Sequence, residues 1–159
     1  MMAEAEESHQ RRLARNVNEL LQELRVAQAG VQILFGFLLS IAFTDKYATI
    51  GDHIRVTHLV TVLCAAAAVA FLTAPAAWHR VLFRQGRRDD VVRYGNTFAL
   101  VGLAFLALAM TGTVLLLVEV VLGGWPAIVV GALAFVVFTG LWFVMPLASS
   151  KRAQDRERP

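Results

Sequence analysis

The stretch that decides the fold is Thr97–Ala148, TFALVGLAFLALAMTGTVLLLVEVVLGGWPAIVVGALAFVVFTGLWFVMPLA. It contains a single charged residue, Glu119, and one break, Gly123–Gly124–Trp125–Pro126. Each half is close to the roughly 20 apolar residues that cross a bilayer as a helix. The four-residue break is too short for anything but an antiparallel hairpin. Pro126 stands where a helix starts and its missing N–H costs nothing. Two adjacent spans, Thr97–Leu122 and Trp125–Ala148, follow directly.

Val26–Phe43 and Val56–Ala77 have the same character. The four stretches contain Glu119 alone of the Lys+Arg 15 and Asp+Glu 12 in the 159-residue chain. With 57% hydrophobic and 17% charged residues, a chain this small could not hide its apolar surface from water, because it buries only about 70% of that surface on folding. The fold class expected is all-α: a four-helix transmembrane bundle with spans 26–43, 56–77, 97–122 and 125–148. Residues 1–25 form a segment ahead of it and 149–159 a basic tail. The N-terminus is acidic then basic with no small-residue cleavage site, so Val26–Phe43 is read as a retained span.

Charge sets the expected orientation. Of the 15 basic residues, only Lys46 and Arg55 lie in the first loop, and the Gly-Gly turn has none. The others sit before the first span, in the second loop or in the tail. By the positive-inside rule both termini and the second loop are cytoplasmic. Tyr47, Trp78, Tyr94 and Trp125 fall near span ends, where amphipathic rings prefer the headgroup level. Pro75 and Pro146 are expected to end or kink their helices.

The first helix begins ahead of its span. Leu13, Val17, Leu20, Leu21, Leu24, Val31, Leu34 and Leu38 continue one apolar stripe at helical spacing. Arg15, Asn18, Glu19, Gln22 and Glu23 take the opposite face of its front portion. One long helix satisfies this pattern, as does an amphipathic surface helix bent into the span near Arg25. Leu20 and Leu24 are candidates for contact with lipid or a partner. In the second loop Arg80, Arg84, Arg87 and Arg88 form a basic patch flanked by Trp78, Leu82 and Phe83. Such a patch attracts anionic lipid by about 1 kcal/mol per basic residue. It accounts for the basic pI, and no nucleic-acid motif accompanies it.

The run LLQELRVAQAGVQILFGFLLSIAF (20–43), with APAAWHRVLFR (74–84) after the second span, resembles a family of small bacterial four-helix membrane proteins of uncharacterised function. The resemblance extends from Arg11 to the last span and implies residence in the bacterial cell membrane. Some members carry a sodium–proton antiporter label, and the resemblance brings no catalytic residues with it.

Ion exchange needs an ionisable group reachable from both sides of the membrane. Glu119 lies about 4.5 Å inside its span end at 1.5 Å per residue, and His58 lies at comparable depth. They pair if their helices touch, and Asp45, Asp52 and His53 would extend them into an acidic–histidine cluster. At the other end Gln28 and Gln32 are four apart, with Asn96 and Thr97 opening the third span. Interhelical hydrogen bonding is their simplest role. The band between the two sets has no ionisable group. Gly95, Ala99, Gly102 and Ala109, with Ala127, Gly131 and Ala134, let helices approach closely.

No Ser–His–Asp set, Cys–His pair or phosphate loop appears, so no enzyme, cofactor or metal is expected. His53 and His58 are five apart, which is not a metal-ligand spacing, and Cys64 is read as a small packing residue. Two functions remain. The first is association with anionic membrane lipid or another membrane protein, a second copy included. The alternative is an oligomeric ion-translocating protein using Glu119, His58, Gln28 and Gln32.

Overall fold

The computed structural model describes residues 2–82 and 88–148. Helix α1 runs over Met2–Ala42, α2 over Asp52–Leu82, α3 over Arg88–Val121 and α4 over Trp125–Thr139. A π-helical turn, Gly140–Val144, continues α4. A 3₁₀ turn, Asp45–Thr49, lies between α1 and α2. Four helices are long and apolar enough to cross a membrane, at Gln22–Ala42, Asp52–Ala77, Tyr94–Val121 and Trp125–Ala148. No strand occurs among the described residues. The all-α class expected from the apolar runs is observed, with four helices of the length and apolarity that a membrane span needs.

Helix α1 is unbroken from Met2, because its front portion is rich in Ala, Glu, Leu, Gln and Arg and holds no proline. It ends where Phe43 N–H and Thr44 N–H turn onto the carbonyls of Ser40 and Ile41. The Thr44 hydroxyl donates to Ile41 O as well, at 2.8 Å. The α3–α4 hairpin turns on Gly123 and Gly124, at φ of 67° and 63°. This left-handed backbone suits glycine because it has no Cβ to clash. Neither Pro75 nor Pro146 ends its helix: Pro75 lies fully buried inside α2, which continues seven residues beyond it, and helix runs past Pro146 to residue 148.

Helix α3 is the centre of the bundle, packed along α2, flanked by α4 and touched by α1, which leans mainly on α2. Leu24, Val31 and Leu38 are the buried stripe of α1, seven residues apart. They meet Ala65, Ala68 and Leu72 of α2 and Ala99, Leu106 and Ala109 of α3. Lipid tails are as apolar as leucine, so association here rests on close van der Waals fit rather than on hydrophobic burial. The contact is correspondingly tight. A Cβ added to Gly102 would lie 2.7 Å from Leu72 Cγ and 3.1 Å from its backbone nitrogen. Phe71 stacks on Phe105 with centroids 5.6 Å apart.

Helix α4 is apolar all round and buries only Ala127 and Gly131. A Cβ on Gly131 would come 3.0 Å from Leu115 Cδ1. Of the glycines and alanines singled out in the third and fourth spans, Gly95, Ala99, Gly102, Ala109, Ala127 and Gly131 are buried within the chain. Beside α4, a groove of about 540 Å³ lies between α1 and Trp142, floored by Leu103, Leu106 and Met110 of α3.

Candidate functional site

Polar side chains gather at the end of the bundle formed by the two short connections. His53, in the first turn of α2, places Nε2 3.4 Å from Glu119 Oε1 near the end of α3. Glu119 is thus paired, but with His53 rather than with His58. The two histidines are five residues apart, so they point to different sides of α2. His53 faces the α3 end, and His58 faces α1 and the 3₁₀ turn.

His58 is 4% exposed. Its Nε2 lies 2.9 Å from Leu38 O and its Nδ1 3.1 Å from Tyr47 Oη. A carbonyl can only accept, so Nε2 carries the proton and donates to Leu38, and the Tyr47 hydroxyl donates to Nδ1. Both ring nitrogens are thereby satisfied inside the protein. Tyr47 also meets the imidazole edge-on, with centroids 5.1 Å apart. Arg55 holds the same 3₁₀ turn from outside: Nη2 donates to Ala48 O at 2.6 Å and Nη1 reaches Asp52 Oδ1 at 3.5 Å. The role of Tyr47 was hidden in the sequence, where it reads as an interfacial aromatic. Nothing in the spacing of Tyr47 and His58 announces a hydrogen bond across a turn.

Below this layer the hydroxyls of α2 turn back on their own helix. Thr57 donates to His53 O at 2.8 Å and Thr61 to Thr57 O at 2.7 Å. Beyond Thr61 the core consists of Leu38, Ala65, Ala68, Leu106 and Ala109, with no ionisable side chain. Thr111 of α3 buries an unbonded hydroxyl beside this layer, and at the far end of the core Gln28 Nε2 donates to Leu72 O at 2.6 Å. Pro75 takes away the N–H that would serve the Phe71 carbonyl, and the Gln28 amide supplies a donor one residue further on. Gln28 thus takes an interhelical bond, as expected, but to backbone.

The other polar candidates do not join it. Asn96 and Thr97 are exposed. Gln32 is also exposed, on the side of α1 away from α2 and α3, and has no hydrogen-bond partner among the described residues. Leu24, expected as a contact for lipid or a partner, is instead a core residue, 5% exposed. The stripe it shares with Val31 and Leu38 is the face that packs on the bundle. Leu20 lies in helical backbone of α1. Of the basic patch, Arg80 falls near the end of α2 and Arg88 opens α3, while Arg84 and Arg87 lie outside the described residues. Among the described residues no three His, Cys, Asp or Glu side chains converge as a metal ion would require.

The His53–Glu119 contact is long for a hydrogen bond, and His53 is 72% exposed. Exposed ion pairs contribute about 0–1 kcal/mol. Glu119→Gln keeps an acceptor facing His53, so unfolding in detergent micelles should show less than about 1 kcal/mol of destabilisation. A larger loss would mean that Glu119 carries a structural load this geometry does not show.

Comparison with curated proteins and with solved structures returns no match. The profile of a family of unknown function, DUF6328, matches residues 6–146, which takes in three of the four helices apolar enough to cross a membrane and all but the last two residues of the fourth. The chain belongs to the DUF6328 family of unknown function.

Proposed function

We propose that this chain acts by association within the membrane, presenting the outward face of α1 to a helix of another membrane protein. The observation that carries this reading is the composition of that face. Arg25, Ala29, Gln32, Gly36 and Ser40 succeed one another at helical spacing and all are exposed. On α4 the exposed surface is of the kind lipid prefers, as at Ile128, Leu133 and Val136. Small residues admit a neighbouring backbone, and an amide in hydrocarbon gains about 0.6–2 kcal/mol from an interhelical hydrogen bond. Both termini are taken as cytoplasmic from the bias of basic residues, and the Arg80–Arg88 connection then rests on anionic headgroups. The apolar layer between Thr61 and Gln28 supports association over ion translocation.

Photo-crosslinking residues placed singly along α1 in native membranes test the reading. Adducts should recur at positions 29, 32, 36 and 40, fail at 37, and fall several-fold when Gln32→Leu and Gly36→Leu are combined. Positions 129 and 136 on α4 should yield none. An adduct of twice the chain mass would identify the partner as a second copy. Equal labelling of α1 and α4 would overturn the proposal.

A further inference from the structure

At the end of the bundle where α1 turns into α2, a cavity of about 370 Å³ lies beneath the 3₁₀ turn. Its walls come from three helices and from the turn itself, and include Leu38, Ile41, Ile50, Ile54 and Leu116. Four polar side chains also line it, and each is already engaged within the protein. Thr44 and Thr113 donate to carbonyls of their own helices, and Tyr47 and His58 hold one another, with His58 donating to Leu38 O. The surface left to a ligand is therefore apolar. A headgroup, a sugar or a peptide amide would find no free donor there and would lose its hydration uncompensated.

The cavity opens sideways. Phe37, Leu117 and Val120 form part of its lining and are 62%, 64% and 59% exposed. They belong to the surface that meets hydrocarbon. Size and shape favour a narrow occupant. One turn of helix, about 10 Å wide and 5.4 Å high, takes roughly 400 Å³, as much as the whole cavity, so an unbranched chain suits it better than a partner helix. At about 30 Å³ per water-sized group, it takes on the order of a dozen methylenes in a row. Empty, its lining would lose contacts on one side, and water would find no unengaged polar partner to bond.

We infer that this cavity is a binding site for one acyl chain of a membrane phospholipid, drawn from the leaflet on the side of the α1–α2 connection. The inference is independent of the α1 docking face, which points away from the bundle. It also lies at the end of the bundle opposite the basic α2–α3 connection. Lipid held here is recognised by its tail, under a lid that Tyr47 and Arg55 pin in place.

The full chain, reconstituted in vesicles of a single phospholipid and extracted into mild detergent, tests this by native mass spectrometry. Wild-type protein should retain one phospholipid, and added phospholipid should raise its melting temperature by several degrees. Leu116→Trp and, separately, Ile54→Phe fill the cavity. Each should release the lipid and lose the thermal response while keeping its helical circular dichroism. Leu133→Trp, on the exposed face of α4, should behave as wild type. Should Leu116→Trp fail to fold, Ile54→Phe decides. Wild-type protein free of lipid, a retained fatty acid or detergent in place of phospholipid, or retention equal in wild type and folded cavity variants would each overturn the assignment.

Discussion

Gly112→Ala should destabilise the bundle by about 1–3 kcal/mol, the usual cost of forcing extra volume into a packed core. The added Cβ would fall directly against Thr61 Oγ1, and it would stand 3.0 Å from Thr61 Cγ2 and 3.1 Å from Thr61 Cβ. Thr61 cannot move aside easily. It is β-branched, 3% exposed, and its hydroxyl is bonded to Thr57 O at 2.7 Å. The strain therefore passes to the α2–α3 contact, the main packing surface of the bundle. Gly112→Val should cost more. Combining Gly112→Ala with Thr61→Ala removes the colliding atoms, so the double variant should recover at least half of the loss. Unfolding by a denaturing detergent, followed by circular dichroism, supplies the double-mutant cycle. If the two losses simply add, the close approach at Gly112 is not the cause.

His58→Leu should cost about 1–3 kcal/mol, because it strands the Tyr47 hydroxyl in a mostly apolar site and takes the donor from Leu38 O. Tyr47→Phe removes one hydrogen bond and leaves His58 Nδ1 without its donor, with an expected loss of about 1 kcal/mol. The order of the two is part of the prediction. So is its location: amide hydrogen exchange should rise across Asp45–Thr49 and leave the Gln28–Leu72 end unchanged. Uniform loosening of the whole bundle would contradict the view that His58 specifically ties the 3₁₀ turn to α1 and α2.

Much of the architecture is legible in the residues because lipid leaves the backbone few options. Every N–H and C=O in hydrocarbon must be bonded within its own segment, so a long uncharged run is a helix. The turn at Gly123–Gly124 and the small-residue face of α3 follow from spacing alone. The functional site was less legible. Glu119 and His58 have matching depth, which is an axial property, but partnership also depends on rotation about the helix axis. That rotation gives Glu119 to His53 and His58 to Tyr47. In the same way Gln28 and Gln32 are only four residues apart, about 40° around the helix at 3.6 residues per turn. One bonds Leu72, and the other faces outward.

The number of helices apolar enough to cross a membrane, and the short turn between the last two, can be read from the residues alone, since both rest on the hydropathy of contiguous residues. So can the absence of charge from the middle of the apolar runs. Only the tertiary structure decided which polar groups are consumed within the bundle and which face of α1 remains outward. Only it showed that Pro75 passes through α2 and that a cavity opens beneath the 3₁₀ turn. These depend on how helices are rotated and how closely they approach. In lipid that is settled by the fit of Gly, Ala and Leu side chains across α2 and α3, a property of pairs of surfaces that no single run of residues contains.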